Sequence, residues 1–299
     1  MKISFIIPSY NNLRYLKSAY HSIRTWEDED HEIVVLDDAS VDGTVEWLKS
    51  LDDPNLIIWE NETGKRLGHT ITYDIGVDLC TTEVFSIFHA DMFIGKNYVQ
   101  NLVKHLDKHT VVAATRIEPP LHPTGKEKIT RDFGMWPEDF READFINFVR
   151  EEQKRNKDQT TRGIFAPWMM YKDEFLSIGG HDPRFASARE DSDVFNRLVL
   201  GGFELIQSWQ SFVYHLTARG GQFQHGKLTK DHSQKSEEWQ KLMNNSTREF
   251  FRKWGSSVNH DNLMMPIISP KFDIGFVVHN IHNYNVLSVF YLGASFKTI

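Results

Sequence analysis

Glu32-Ile33-Val34-Val35-Leu36-Asp37-Asp38-Ala39-Ser40-Val41-Asp42-Gly43-Thr44 runs from a near-continuously apolar stretch, through paired carboxylates, into a turn and the start of an amphipathic segment. Runs of this kind are strands covered on both faces. Outward from it the same alternation repeats. Residues 3–7, 56–59, 84–88 and 111–115 read as further strands, and residues 13–26, 41–51, 67–80 and 96–108 carry helical spacing. In the first helix Leu13, Leu16, Tyr20 and Ile23 share one face, and Asn11 or Asn12 can cap it. This β-α-β-α rhythm predicts an α/β fold built on a doubly wound, mostly parallel, Rossmann-like sheet. Such sheets bind ligands at the carboxyl ends of their strands.

The chain has 299 residues, 40% of them apolar, which suffices for one large α/β domain with extensions or for two small ones. A net charge of -7 argues against a nucleic-acid partner, because a polyanion needs a basic face. Cys80 is the single cysteine, so neither an intrachain disulfide nor a cysteine-rich zinc site can form, and it reads as a buried structural thiol. Pro8 cuts the first apolar run short, so the start reads as a strand and not as a signal peptide. No apolar run reaches the roughly 18 residues a transmembrane helix needs. The most apolar late stretch, residues 272–294, is broken by polar residues. A cytoplasmic location fits, with peripheral contact to a membrane left open.

From residue 116 to 162 the rhythm fails and an inserted loop region is expected over the working edge of the sheet. Residues 165–171 then read as a strand and Ile178-Gly179-Gly180 as a turn. Residues 191–200 read as a helix ended by Gly201-Gly202, and 203–207 and 212–215 as short strands. Residues 233–254 carry helical spacing. The expected division is a main domain over 1–225, with halves 1–115 and 116–225, and a C-terminal helical extension over 226–299.

Four clusters fall where the sheet logic puts a site. Pro8-Ser9-Tyr10-Asn11 closes the first strand, where a hydroxyl, a ring and an amide can hold a nucleoside; the same residues also serve as a strand end plus a cap. Asp37 follows a buried strand and is not needed for capping, which Ser40 or Asp42 supplies. Phe88-His89-Ala90-Asp91 ends a strand with an imidazole and a carboxylate that together suit Mn²⁺ at least as well as Mg²⁺. Glu190-Asp191-Ser192-Asp193 opens a helix, with Asp191 one turn before the apolar Val194 and Phe195. The positive end of that helix is expected to keep Asp191 ionised, and an ionised, positioned carboxylate can take a proton from an attacking hydroxyl.

In order along the chain, Ile6-Ile7-Pro8-Ser9-Tyr10-Asn11, Leu36–Thr44, His89-Ala90-Asp91, Ile178-Gly179-Gly180-His181-Asp182-Pro183-Arg184-Phe185, and Glu190–Asp193 with Gly201-Gly202-Phe203 resemble the motifs of glycosyltransferase family 2. The resemblance covers residues 3–215. It implies the GT-A fold, a smaller mixed sheet beside the main one, and an inverting transfer from a nucleotide-sugar. The commonest base of that family makes UDP the expected nucleotide, and polysaccharide biosynthesis is an expected context. It implies that Asp37 contacts the base with Pro8, Ser9, Tyr10 and Ala90 near it, and that Arg66 contacts phosphate. Asp91 and His215 are the implied ligands of Mn²⁺ or Mg²⁺, and Asp191 the implied catalytic base. Glu190, His89 and Trp168 are candidates for a secondary or acceptor site, with core packing the other reading of Trp168.

Two positions depart from the family pattern. His89 replaces the first acid of D-x-D, and Asp74 stands where Asn is usual. The acceptor is expected to be a hydroxyl of a glycan, a lipid-linked sugar or a protein, and a homo-oligomer is open. The competing reading, carried by His89, is a scaffold of the same fold that binds a nucleotide-sugar without turnover. A nucleotidyltransferase or a dehydrogenase would want a glycine-rich loop after the first strand, and Ser9-Tyr10-Asn11-Asn12-Leu13 has no glycine.

Overall fold

A computed structural model describes residues 1–185, 188–217 and 237–270. The first half alternates β1 (Ser4–Ser9), α1 (Leu13–Trp26), β2 (Glu32–Asp37), α2 (Thr44–Lys49), β3 (Leu56–Glu60), α3 (His69–Leu79) and β4 (Val84–Ile87). Next come β5 (Met92–Ile94), α4 (Tyr98–Val103), β6 (Thr110–Glu118), β7 (Lys128–Thr130), α5 (Glu142–Arg155) and β8 (Thr160–Arg162). The chain continues through β9 (Trp168–Tyr171), α6 (Lys172–Ser177), α7 (Glu190–Leu200), β10 (Glu204–His215) and α8 (Glu237–Trp254).

Among the described residues the strands form one sheet in the order β3-β2-β1-β4-β9-β6-β10-β5, with β7 beside β6 and β8 beside β10. Strands β1, β2, β3 and β4 pair in parallel, as do β6 with β10 and β6 with β7. The smaller mixed sheet is therefore continuous with the main one: β9 runs antiparallel between β4 and β6, and β5 and β8 run antiparallel to β10. Chain order reverses between β1 and β4, which makes the carboxyl ends of those strands the switch-point crevice. Pro8 suits that place. Pairing of β1 with β4 stops at Ile6 opposite Ile87, so the missing N–H of Pro8 interrupts no ladder on that side.

Alternate residues of β1 feed two cores. Phe5 and Ile7 pack with Leu16, Ala19 and Ile23 of α1, and Ile6 packs with Tyr73 and Val77 of α3 and with Leu198 of α7. Two-sided burial is why the strands read as unbroken apolar runs. Gly76 brings α3 close to the sheet: a Cβ there would lie 2.4 Å from Ile6 Cγ2 and 2.8 Å from Leu36 Cδ2. Cys80 is buried, as expected of a structural thiol.

Several expected elements differ. The region 116–162 is no plain loop; it holds the end of β6, β7, the helix α5 and β8. Helix α5 buries Phe145, Ile146 and Val149 against Phe93, Phe212 and Tyr214. The two short strands expected at 203–207 and 212–215 are one strand, β10, with a register shift between Ser208 and Phe212. The polar run Ser208-Trp209-Gln210-Ser211 hid that continuity, although Ser208 and Ser211 are fully buried. Helix α8 confirms helix over 237–254; residues 233–236, the boundary at 225 and the apolar stretch 272–294 lie outside the described residues. No helix among the described residues is long and apolar enough to cross a membrane.

Gly76→Ala forces a methyl into Ile6 and Leu36 and is expected to lower the unfolding free energy by about 1–3 kcal/mol, measured by equilibrium urea denaturation. A loss under about 0.5 kcal/mol, the range of an ordinary surface change, would show that α3 has room to move off the sheet.

Candidate functional site

At the switch point, Ser9 ends β1 and Asp37 ends β2 as its register partner. Ser40 N donates to Asp37 Oδ2 at 3.0 Å, yet Asp37 Oδ1 and Ser9 Oγ are buried with no partner in the protein. Buried polar atoms are normally satisfied, so this pair marks a place shaped for a ligand's polar edge. Burial pushes the Asp37 carboxyl up, against the bonds from Ser40. Pro8 and Tyr10 flank the same strand end, both half-buried.

The loops around Asp37 are laced together. Neither Asn11 nor Asn12 caps α1 through its side chain. Asp42 does so from the neighbouring loop, accepting Leu13 N at 2.9 Å while its other oxygen accepts Thr44 N at 3.2 Å. Asn11 Oδ1 accepts Val41 N, and Asn11 N donates to Ser40 Oγ. Asp38 was not singled out in the sequence, and it anchors the next loop by accepting Leu67 N, Gly68 N and Asn61 Nδ2, each at 2.8 Å. That anchor holds Arg66 with its guanidinium 4.8 Å over the Tyr10 ring.

Across the crevice, His89, Asp91 and His215 offer ligand atoms that all lie within 4.8 Å of one another. Two imidazoles and one carboxylate fit a divalent transition ion such as Mn²⁺. Ala90, between the first two, is buried. Strand pairing brings the trio together, because β10 sets His215 opposite Met92 of β5. His215 Nε2 stands 3.5 Å from Asp91 Oδ1. Burial alone would raise the Asp91 carboxyl, but His215 and His89 hold it below its ordinary value. Burial lowers His89 to about 4, so its imidazole is neutral near pH 7 and its lone pair is available. Burial opposes charge on His215 as well, but Asp91 and Glu118 raise it to about 9.

The acids of α7 face the same space. Tyr73 lies between the two ends: its OH donates to Phe88 O at 3.4 Å and its ring packs on His69 at 6.0 Å between centroids, and burial followed by the carboxylates Glu190, Asp91 and Asp191 raises its phenol well above the ordinary value. Glu190 Oε1 pairs with His69 Nε2 at 2.6 Å, and Glu190 Oε2 is buried without a partner. Burial opposes ionisation of Glu190, but His69 holds its carboxyl below the ordinary value. Asp191 still ionises below neutral pH, as expected, but higher than an ordinary carboxyl. Burial, followed by the charge of Glu190, raises it to about 6, outweighing the bonds from Ser192 and the charge of His69. A carboxyl titrating there is matched to proton transfer near neutral pH.

Behind these residues lie groups that set their position. Asp74 accepts from His181 N at 3.0 Å and pairs with His181 Nδ1 at 2.6 Å. Gly180, at φ +62°, leaves room for that carboxylate, since a Cβ there would lie 2.7 Å from Asp74 Oδ2. Asp74, one of the two departures from the family pattern, is thus the partner of His181, and together they fix the turn that leads towards α7. Trp168 is corrected: it is 1% exposed and packed among Phe85, Phe175 and Phe195, with no face open to an acceptor. Glu118, Arg116, His69 and Tyr73 were missed. Arg116 and Glu118 stand two apart and so share a face of β6, a pattern hidden while the strand was read as ending at 115.

Residues 4–178 match the family described as Glycosyl transferase family 2. Abequosyltransferase RfbV of Salmonella typhimurium is 34% identical over 113 residues, 36% of this chain and 33% of that protein, so the match spans about a third of the relative. Among solved structures, GalNAc-T7 with UDP, GalNAc and Mn²⁺ is similar with a TM-score of 0.53 at 16% identity, over 72% of this chain and 44% of that one. The mannosyltransferase PcManGT of Pyrobaculum calidifontis, in complex with GDP-Man and Mn²⁺, gives 0.51 at 21% identity, over 74% and 58%. At such identities the likeness is one of fold, GT-A.

Carboxyl NMR is expected to find Asp191 titrating near pH 6, neutral below and ionised above. Glu190→Gln removes the adjacent negative charge and should move that midpoint down. An unchanged midpoint would assign the whole shift to burial.

Proposed function

The chain belongs to glycosyl transferase family 2, and from its site we propose that it moves a sugar from a nucleoside-diphosphate donor to an acceptor hydroxyl, with inversion. The observation that carries this reading is that Tyr73 links the two groups: its OH donates at 3.4 Å to the carbonyl of Phe88, next to His89, and its ring meets His69, the partner of Glu190, at 6.0 Å between centroids. We assign residues 1–115 to donor binding and 116–225 to the catalytic half, with the C-terminal extension beyond.

Asp37 Oδ1 and Ser9 Oγ would receive the donor's base. A carboxylate oxygen accepts, and the imide N–H of uracil donates, which fits UDP. Tyr10 follows Ser9 at the same strand end, and Arg66, held 4.8 Å over the Tyr10 ring, would contact the phosphates. His89, Asp91 and His215 would hold a divalent ion, which supplies charge stabilisation for the departing diphosphate. With two nitrogen ligands the trio favours Mn²⁺ over Mg²⁺. Asp191, ionised above about pH 6, would accept the proton of the acceptor hydroxyl as its oxygen attacks the anomeric carbon from the face opposite the diphosphate. The pairing of Glu190 with His69 keeps a second carboxylate charged beside Asp191 without a net negative excess. The acceptor is a glycan, lipid-linked or protein hydroxyl. The scaffold alternative loses its support, because His89 is one of the three ligand-capable side chains.

A screen of nucleotide-sugars that follows nucleoside diphosphate release is expected to find UDP release that needs Mn²⁺ and is slower with Mg²⁺. Asp191→Asn should cut turnover by about 100- to 10,000-fold while donor affinity stays within a factor of about two of wild type. The wild-type rate should rise with pH through about 6, as the base ionises. Binding of donors without turnover at any pH would leave the scaffold reading standing instead.

A further inference from the structure

We propose that Glu118 is a positioning residue for His215, holding the ring so that Nε2 is presented to Asp91 and the cation. The inference rests on the metal reading above and deepens it. Three strand ends meet at this point. β6 lies parallel to β10 with Ile117 opposite Tyr214, so Glu118 and His215 adjoin; β5 sets Met92 opposite His215 from the other side. His215 Nδ1 lies 2.9 Å from Glu118 Oε1, and Glu118 is 2% exposed. The opposite ring nitrogen is the one facing Asp91, at 3.5 Å. An imidazole has two nitrogens, and an acceptor on Nδ1 keeps a proton there, so Nε2 is the nitrogen left for a cation, which displaces any proton it carries.

Glu118 is itself held from two more directions. Its Oε1 also accepts Arg116 Nη1 at 2.8 Å, and its Oε2 accepts Lys128 Nζ at 2.7 Å. Arg116 Nη2 reaches Glu127 at 3.5 Å, and its guanidinium lies 3.9 Å over the Phe165 ring. Strand β7 supplies Lys128 directly opposite Arg116. The two cations balance Glu118 and Glu127, so the carboxylate orients the imidazole without adding net charge behind it. Burying charges such as those of Arg116 and Glu118 is a poor way to stabilise a fold, since desolvation consumes most of the attraction. Orientation of a ligand at the edge of the site accounts for the arrangement where stability does not.

The test is a double-mutant cycle read as Mn²⁺ affinity in the presence of UDP, by electron paramagnetic resonance of free Mn²⁺. Glu118→Gln keeps the shape but turns part of the acceptor into a donor, and is expected to weaken Mn²⁺ by about 10- to 100-fold, with UDP affinity in the absence of metal unchanged. In a His215→Ala background the same substitution should weaken Mn²⁺ by less than about twofold, because the ring it acts through is gone. Equal losses in both backgrounds, or no loss in either, would overturn the role of Glu118 while leaving the metal reading intact. Unchanged Mn²⁺ affinity in His215→Ala would sink the metal reading and this inference with it. If Glu118→Gln does not fold, ¹⁵N NMR of the wild-type protein with Mg²⁺ and UDP decides: the His215 proton is expected on Nδ1, and a proton on Nε2 would refute the proposal.

Discussion

Strand β10 pairs antiparallel with β5, and the site hangs on that pairing. The two strands come from distant parts of the chain, and their register sets His215 opposite Met92, next to Asp91. The Asp91 carbonyl accepts Leu216 N at 3.0 Å, which extends the match past the end of the strand. A slip of one residue would turn His215 to the other face of the sheet and leave Asp91 with a single imidazole. The bulge between Ser208 and Phe212 shifts the register of β10 on β6, which it pairs on both sides of the bulge, while its last residues also pair with β5. Backbone register, more than any side-chain contact, therefore assembles the cation-capable trio.

The other half of the site depends on how α7 is held. Asp193 on that helix is fully buried and accepts from Arg197 Nε at 2.9 Å and Trp254 Nε1 at 2.8 Å, with Lys253 Nζ at 2.7 Å. Lys253 also reaches Asp182 at 2.7 Å, and with Arg184 it holds that carboxyl well below the usual range. Phe250 and Trp254 pack on Phe185, each such burial contributing about 1.5–3 kcal/mol. The end of α8 is thus clamped to the helix that carries Glu190 and Asp191. Residues 250–254 of α8 therefore pack as one body with Phe185 and the start of α7.

Much of this was legible along the chain. Helix α1 fell on 13–26 as its apolar spacing predicted, and β1 to β4 fell on the expected runs, because two-sided burial leaves an unbroken apolar record. Asp37, Asp91 and Asp191 stand at strand or helix ends, where the fold logic looks first. The misses share a cause. Trp168 carries no mark in the sequence that separates a core indole from a binding wall. Arg116, Glu118 and Lys128 look like loop charges because a buried ion network breaks the apolar pattern that announces a strand. Asp191 was expected to be ionised and is so above about pH 6; that burial and Glu190 push its carboxyl up was not legible in the chain.

By itself the sequence determined the alternation of strands and helices, the crevice where their polar ends gather, and the acids at those ends. Periodicity and local motifs are properties of neighbouring residues, so they survive in one dimension. The family resemblance already joined His215 to Asp91; only the tertiary structure decided that Glu118 backs His215 and that His69 partners Glu190. Those pairings join residues far apart in the chain, and they follow from strand register and burial, which are set when the whole sheet closes its two cores.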